Sequence, residues 1–182
     1  MRPDDCHDAA RPARRRLLAL GGSALVGSLA GCTSSLSVDD GPPDVREVPG
    51  LRPDSSAPSA MPTLSAESTL TTLAVGRGGN NHPVTAWNVT DRSRDVALEI
   101  AGEGDAEPWF RGEYALDADT NLIVDLRDPR HYAVTVRVGE RSKTVDVPKS
   151  RFDCNNSATD VAIREDGIES RSISTSMACG GL

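Results

Sequence analysis

From about residue 68 onward, apolar and polar positions alternate along the chain with period two. Val96, Leu98 and Ile100 alternate with Ala97 and Glu99, and Phe110, Gly112, Tyr114 and Leu116 with Arg111, Glu113 and Ala115. Leu122, Val124 and Leu126 follow. Tyr132, Val134, Val136 and Val138 then alternate with Ala133, Thr135 and Arg137. Val145 with Val147 and Val161 with Ile163 make shorter runs. Successive side chains of a strand point to opposite faces, so this pattern predicts half-buried antiparallel strands. Turn-forming residues separate the runs at Asp91 to Ser93, Gly102 to Asp105, Asp117 to Thr120, Asp128-Pro129, Val138 to Glu140 and Asp166-Gly167. No segment carries a 3.6-residue period, and no internal repeat is present. About seven to nine short strands in one domain predict an all-β sandwich.

The first 67 residues read differently. Arg14-Arg15-Arg16 precedes an apolar run from Leu17 to Ala30, which is too short for a membrane span of about 20 residues. The run ends at Leu29-Ala30-Gly31-Cys32. Paired Arg14 and Arg15 with Leu17-Leu18 beyond them resemble a twin-arginine export signal, with Ala13 in place of the usual Ser or Thr. Leu29, Ala30, Gly31 and Cys32 resemble the lipobox of secreted lipoproteins. The resemblance implies that residues 1–31 are a signal peptide removed on export. It also implies that Cys32 becomes the lipidated first residue of the mature chain. Each buried methylene contributes about 0.8 kcal/mol, so a two-chain lipid anchors stably. Residues 32–67 hold six prolines and many serines with no periodic pattern, and are expected to be a disordered tether. The remaining 68–182 are expected to be the folded domain.

Composition adds a setting. There are 20 basic and 27 acidic residues, for a net charge of −7. Five of the basic and three of the acidic residues precede Cys32, so the remainder carries 15 against 24. Lysine occurs only at 143 and 149, and Asp outnumbers Glu by 18 to 9. This profile resembles proteins of extreme halophiles, where compact carboxylates keep a surface hydrated and salt screens their repulsion. The same balance argues against a nucleic-acid partner, which needs clustered cations.

Within the domain, Trp109 to Leu116, Leu122 to Leu126 and His131 to Val136 resemble the strand–turn–strand rhythm of immunoglobulin-like or fibronectin-III-like modules in small haloarchaeal surface lipoproteins. That resemblance implies an antiparallel immunoglobulin-like β-sandwich. It implies that Tyr132, near the start of a late strand, locks a corner through its hydroxyl. Val134 stands where an immunoglobulin cysteine would be, so the usual inter-sheet disulfide is absent.

Few residues offer chemistry. Cys154 and Cys179 are expected to pair, as two cysteines of one exported domain commonly do. His82 and His131 are read as surface or turn residues, and no His follows Cys154 as a copper site needs. Asp117-Ala118-Asp119 opens like a calcium loop but lacks the required glycine, and is read as a hairpin turn. Glu103, Asp105 and Glu107 are read as a solvated acidic loop. Asn88-Val89-Thr90 and Asn155-Asn156-Ser157 fit the N-glycosylation triplet, Asn155 better than Asn88. Trp87 and Trp109 are read as packing residues. No hydrolase, zinc or phosphate-loop motif occurs, and no cofactor or metal is expected. The expectation is a non-enzymatic, lipid-anchored surface module facing outward, held to the membrane through Cys32 and serving an envelope protein partner. An accessory ligand-binding subunit of a transporter or respiratory complex is the first alternative. An exported enzyme without a recognisable motif is the second.

Overall fold

A computed structural model describes residues 41–49 and 59–176. Ten strands form two sheets packed face to face. They are β1 (Val45–Pro49), β2 (Ser68–Val75), β3 (His82–Asn88), β4 (Arg94–Gly102), β5 (Phe110–Leu116), β6 (Thr120–Leu126), β7 (Tyr132–Val138), β8 (Arg141–Val147), β9 (Ser157–Ile163) and β10 (Ile168–Ser174). The six-stranded sheet has the order β1-β2-β6-β3-β9-β10, and the four-stranded sheet β5-β4-β7-β8. The fold is therefore an all-β sandwich, with strands where alternation predicts them from β4 to β9. It is not wholly antiparallel. β2 runs parallel to β6, and β3 parallel to β9. Period-two alternation gives the face a residue occupies but not the direction of its neighbour, so this feature is invisible in the sequence.

The core lies between the sheets. Leu73, Val84, Leu122, Val124 and Val161 from the larger sheet meet Val96, Leu98, Ile100, Val134 and Val136 from the smaller one. The outer face of the four-stranded sheet is polar, as the alternation requires. The larger sheet differs, because β6 and β9 are buried at every position. Its outward carboxylates are fully bonded. Asp125 accepts from Asn81 Nδ2 at 2.8 Å and from Arg127 Nε at 2.7 Å. Asp160 accepts from Trp87 Nε1 at 2.9 Å, Ser59 Oγ at 2.7 Å and Met61 N at 2.9 Å.

These last contacts correct the expected domain boundary. Residues 45–49 and 59–67 were expected within a disordered tether. The first are a strand paired to β2, with Val45 against the core. The second begin by binding Asp160, bury Met61, and end with Glu67 N donating to Asp119 O at 2.8 Å. A Pro/Ser-rich segment lacks its own core but can complete one that a sheet already provides. Residues 50–58 lie outside the described residues.

The sandwich has two ends. The chain enters at one of them, where Arg130 Nη1 donates to Gly41 O at 2.9 Å. The same end carries the β2–β3, β4–β5, β6–β7 and β8–β9 connections. Asp128 ties it together. Its Oδ1 accepts from Arg77 N and Gly78 N, and its carbonyl accepts from Tyr132 Oη at 3.0 Å. Gly76, at φ +84°, gives Asp128 the room, since a Cβ there would collide with the carboxyl group. The Tyr132 bond closes the turn between β6 and β7. Tyr132 also stacks edge-on with Trp109 at 5.9 Å and packs on Phe152 at 5.8 Å. Burial, helped by the Asp128 carboxylate, pushes its phenol up to about 12, so it remains a donor at any ordinary pH. Tyr132→Phe removes that donor and keeps the ring. It is expected to lower the unfolding free energy by about 1 kcal/mol, read as a lower urea midpoint with an unchanged slope.

Candidate functional site

The opposite end is built from the β3–β4, β5–β6, β7–β8 and β9–β10 turns. A cavity of about 650 Å³ opens there between the two sheets. Val138, Ile163 and Ile168 give it an apolar side, and Arg92, Arg94, Arg141 and Arg164 supply four guanidinium groups. Asp95, Glu140 and Glu165 also line it, so cations outnumber anions in the cavity of a chain whose net charge is −7.

The arginines come from separate turns and converge on one hairpin. β9 and β10 are joined by Arg164 to Gly167, closed by Arg164 N donating to Gly167 O at 2.8 Å. The turn projects Glu165. Its carboxylate accepts from Arg92 Nη2 at 2.8 Å and Arg94 Nη2 at 2.5 Å, and its carbonyl from Arg141 Nη1 at 2.7 Å. The bond from Arg94 is the main cause that holds the Glu165 carboxyl below its ordinary range, with Arg92 adding to it. Arg164 pairs with Glu169.

The core orients Arg94. Asn88 is buried at the end of β3, and its Nδ2 donates to the carbonyls of Arg92, Leu116 and Asp117 at 2.8–3.0 Å. Its Oδ1 accepts from Thr90 N and Thr90 Oγ1. Thr90 Oγ1 in turn accepts from Arg94 Nε at 3.2 Å. One buried amide thus fixes two turns and the arginine that grips Glu165.

Asn88, the weaker of the two glycosylation candidates, is therefore a buried residue. Both atoms of its amide are engaged inside the core, and a sugar would replace an Nδ2 hydrogen among those that bond the carbonyls of Arg92, Leu116 and Asp117. Asn155 is half-exposed and its Nδ2 donates to Asp153 at 2.8 Å, but the Ser157 hydroxyl of its triplet is buried.

His82 is the second correction, for it is buried in β3 rather than lying at the surface. Ser157 Oγ donates to Arg151 O at 3.0 Å, which leaves its lone pair to accept from His82 Nδ1 at 2.7 Å. His82 Nε2 then accepts from Thr159 Oγ1 at 3.0 Å, and Thr159 accepts from Ser172 Oγ at 2.7 Å. Every proton in this chain has one place to go, which fixes the neutral Nδ1–H tautomer. Burial, reinforced by Arg151, pushes the imidazole down to about 4. His131 is partly exposed, with Nδ1 3.4 Å from Glu103 and Nε2 3.9 Å from Asp146.

Asp105 of the acidic loop accepts from Trp109 Nε1 at 2.5 Å and Gly102 N at 3.0 Å, so it braces the tryptophan. Trp109 packs against the core and beneath Arg130, whereas Trp87 is half-buried and donates its Nε1 to Asp160. Asp119 sits at φ +53° in a tight β5–β6 turn. Among the described residues no group of three His, Cys, Asp or Glu is placed to hold a metal. Cys154 lies in the exposed β8–β9 connection. Arg14, Arg15, Leu29, Ala30, Gly31, Cys32 and Cys179 lie outside the described residues. The arginine cavity was missed by sequence reading, since its parts are spread over residues 92–168 with no common spacing.

The chain has no significant match among protein-family models, curated proteins or solved structures.

A testable consequence attaches to His82. Its folded pKa of about 4 lies below the ordinary 6.5, so the unfolded chain binds the proton more tightly. Its stabilising contribution is complete above pH 6.5 and is lost as pH falls toward 4. A shift of that size corresponds to roughly 3 kcal/mol. Urea unfolding from pH 7 to pH 4.5 should show this loss, and His82→Gln should flatten the pH 5–6.5 portion of the curve. An equal slope in both proteins would exclude His82 as its source.

Proposed function

We propose that the chain is an outward-facing, lipid-anchored, non-catalytic binding module that presents the arginine-lined end of an immunoglobulin-like sandwich to an envelope protein partner. The observation that carries this reading is the polarity of the fold. Gly41 enters at one end, and the arginine cavity opens at the other. With Cys32 lipidated, only eight residues separate the anchor from Gly41, a reach of at most roughly 30 Å. The domain would then stand on its entry end close to the membrane, with the cavity turned away from it.

The immunoglobulin-like assignment is supported by the order β5-β4-β7-β8, the antiparallel β3–β6 pair opposite it, and the tyrosine corner. The non-catalytic assignment is supported by the burial of His82. An imidazole held neutral on Ser157 and Thr159 in the core meets no substrate. The Cys154–Cys179 disulfide belongs to the same reading. Thr175 N donates to Asn156 O at 2.8 Å, and Asn156 N to Thr175 Oγ1 at 3.2 Å. The chain therefore leaves β10 beside the loop that holds Cys154, four residues before Cys179. Closing a ring of that size contributes about 3.5 kcal/mol in the loop-entropy account.

Three measurements test these assignments. Cys32→Ser should move the protein from the membrane fraction to the medium, while cross-linking of intact cells at native salt should capture one reproducible envelope protein with the unaltered chain. Retention of the variant on the membrane would remove the anchor, and no partner above background would remove the binding role. Peptide mapping without reduction should join the peptides of Cys154 and Cys179. Two alkylatable thiols in fresh protein would exclude the bridge.

A further inference from the structure

We propose that the arginine cavity receives an acidic side chain of an extended partner polypeptide, and that Glu165 occupies its place in the unbound protein. This rests on the binding role above and specifies the partner's chemistry. Two guanidinium groups, one from the β3–β4 turn and one from the first residue of β4, already close on one carboxylate, with Arg92 Nη2 and Arg94 Nη2 on the same Oε2. Paired guanidinium donors match carboxylate geometry and hold it more tightly than a lysine would. The carboxylate is supplied by an exposed residue of a hairpin turn, so its side chain can rotate away without disturbing either sheet.

The occupant is narrowed by the rest of the lining. No aromatic ring faces the cavity, so a saccharide would find no stacking platform. Val138 and Ile168 beside the arginines suit an apolar residue next to an acidic one, as along an extended peptide. The chain as a whole carries a net charge of −7, whereas cations outnumber anions in the cavity, so the cavity is where an acidic segment is favoured. Arg92 and Arg141 are exposed and can be changed without opening the core.

The test uses the full chain and a fluorescein-labelled decapeptide alternating Asp with Val, read by anisotropy. The same peptide with Asn for Asp is the control. The Asp peptide should bind at least about 10-fold more tightly than the Asn peptide, because each charge-assisted bond lost is worth that much. Arg92→Gln combined with Arg141→Gln should weaken it by a similar factor, with an unchanged melting temperature. Glu165→Gln should tighten it several-fold, because the arginines lose their internal competitor. Binding that ignores the Asp-to-Asn change or the arginine pair overturns the proposal, as does no gain from Glu165→Gln. The cross-linking experiment separates the two levels. A captured partner that the double variant loses, with no peptide binding, overturns the acidic-segment assignment and leaves the binding role standing. No partner and no peptide binding removes both.

Discussion

The interior of this sandwich is closed at each end by buried polar side chains whose hydrogen bonds must all be made. A core of Leu, Ile and Val can fill the space between two sheets, but the turns that cap it bring carbonyls and amides to its edge. A buried polar group left unpaired costs on the order of 1–3 kcal/mol. Asn88 answers three carbonyls at the far end with one amide. At the entry end Tyr132 answers the Asp128 carbonyl, and His82 runs a hydrogen-bond chain from Ser172 to the Arg151 carbonyl. The chain has only six Phe, Tyr and Trp residues. Three of them, Trp109, Tyr132 and Phe152, are joined in one contact series that seals the entry end.

That arrangement explains which parts of the fold were legible in the sequence. The four-stranded sheet was legible because its outer face meets water, so Ala97, Glu99, Arg111 and Glu113 break the apolar runs on schedule. The six-stranded sheet was less so, because β6 and β9 are covered on both faces and their polar residues are not signs of exposure. Asp125 and Asp160 are each buried on donors brought from distant segments. The same long-range bonding hid β1 and the segment after Ser59. Val45-Arg46-Glu47-Val48 has only two apolar positions, and its strand character comes from β2. Tyr132 was named as a corner candidate through the resemblance alone, and its hydroxyl does reach the Asp128 carbonyl. The sequence could not reveal His82 as buried, because the partners that satisfy its two nitrogens stand 75 and 77 residues away.

The candidate site shows the same limit from another direction. Arg92 and Arg94 are neighbours in sequence, but Arg141 and Arg164 belong to other hairpins, and only the strand order brings them together. What makes the cluster specific is its connection to the core. Asn88 holds Thr90, Thr90 orients Arg94, and Arg94 holds Glu165. An arginine fixed by a buried amide loses little freedom when it grips a second carboxylate, whereas a solvated one must be ordered at the moment of binding. Surface ion pairs contribute little on average and are weakened by salt. Preorganisation is therefore the property that would let this cluster distinguish a carboxylate in concentrated salt, where unassisted charge attraction between exposed groups is largely screened. The residue that closes the core and the residue that presents the charge are linked through a single threonine, so the far end cannot keep its site without keeping its fold.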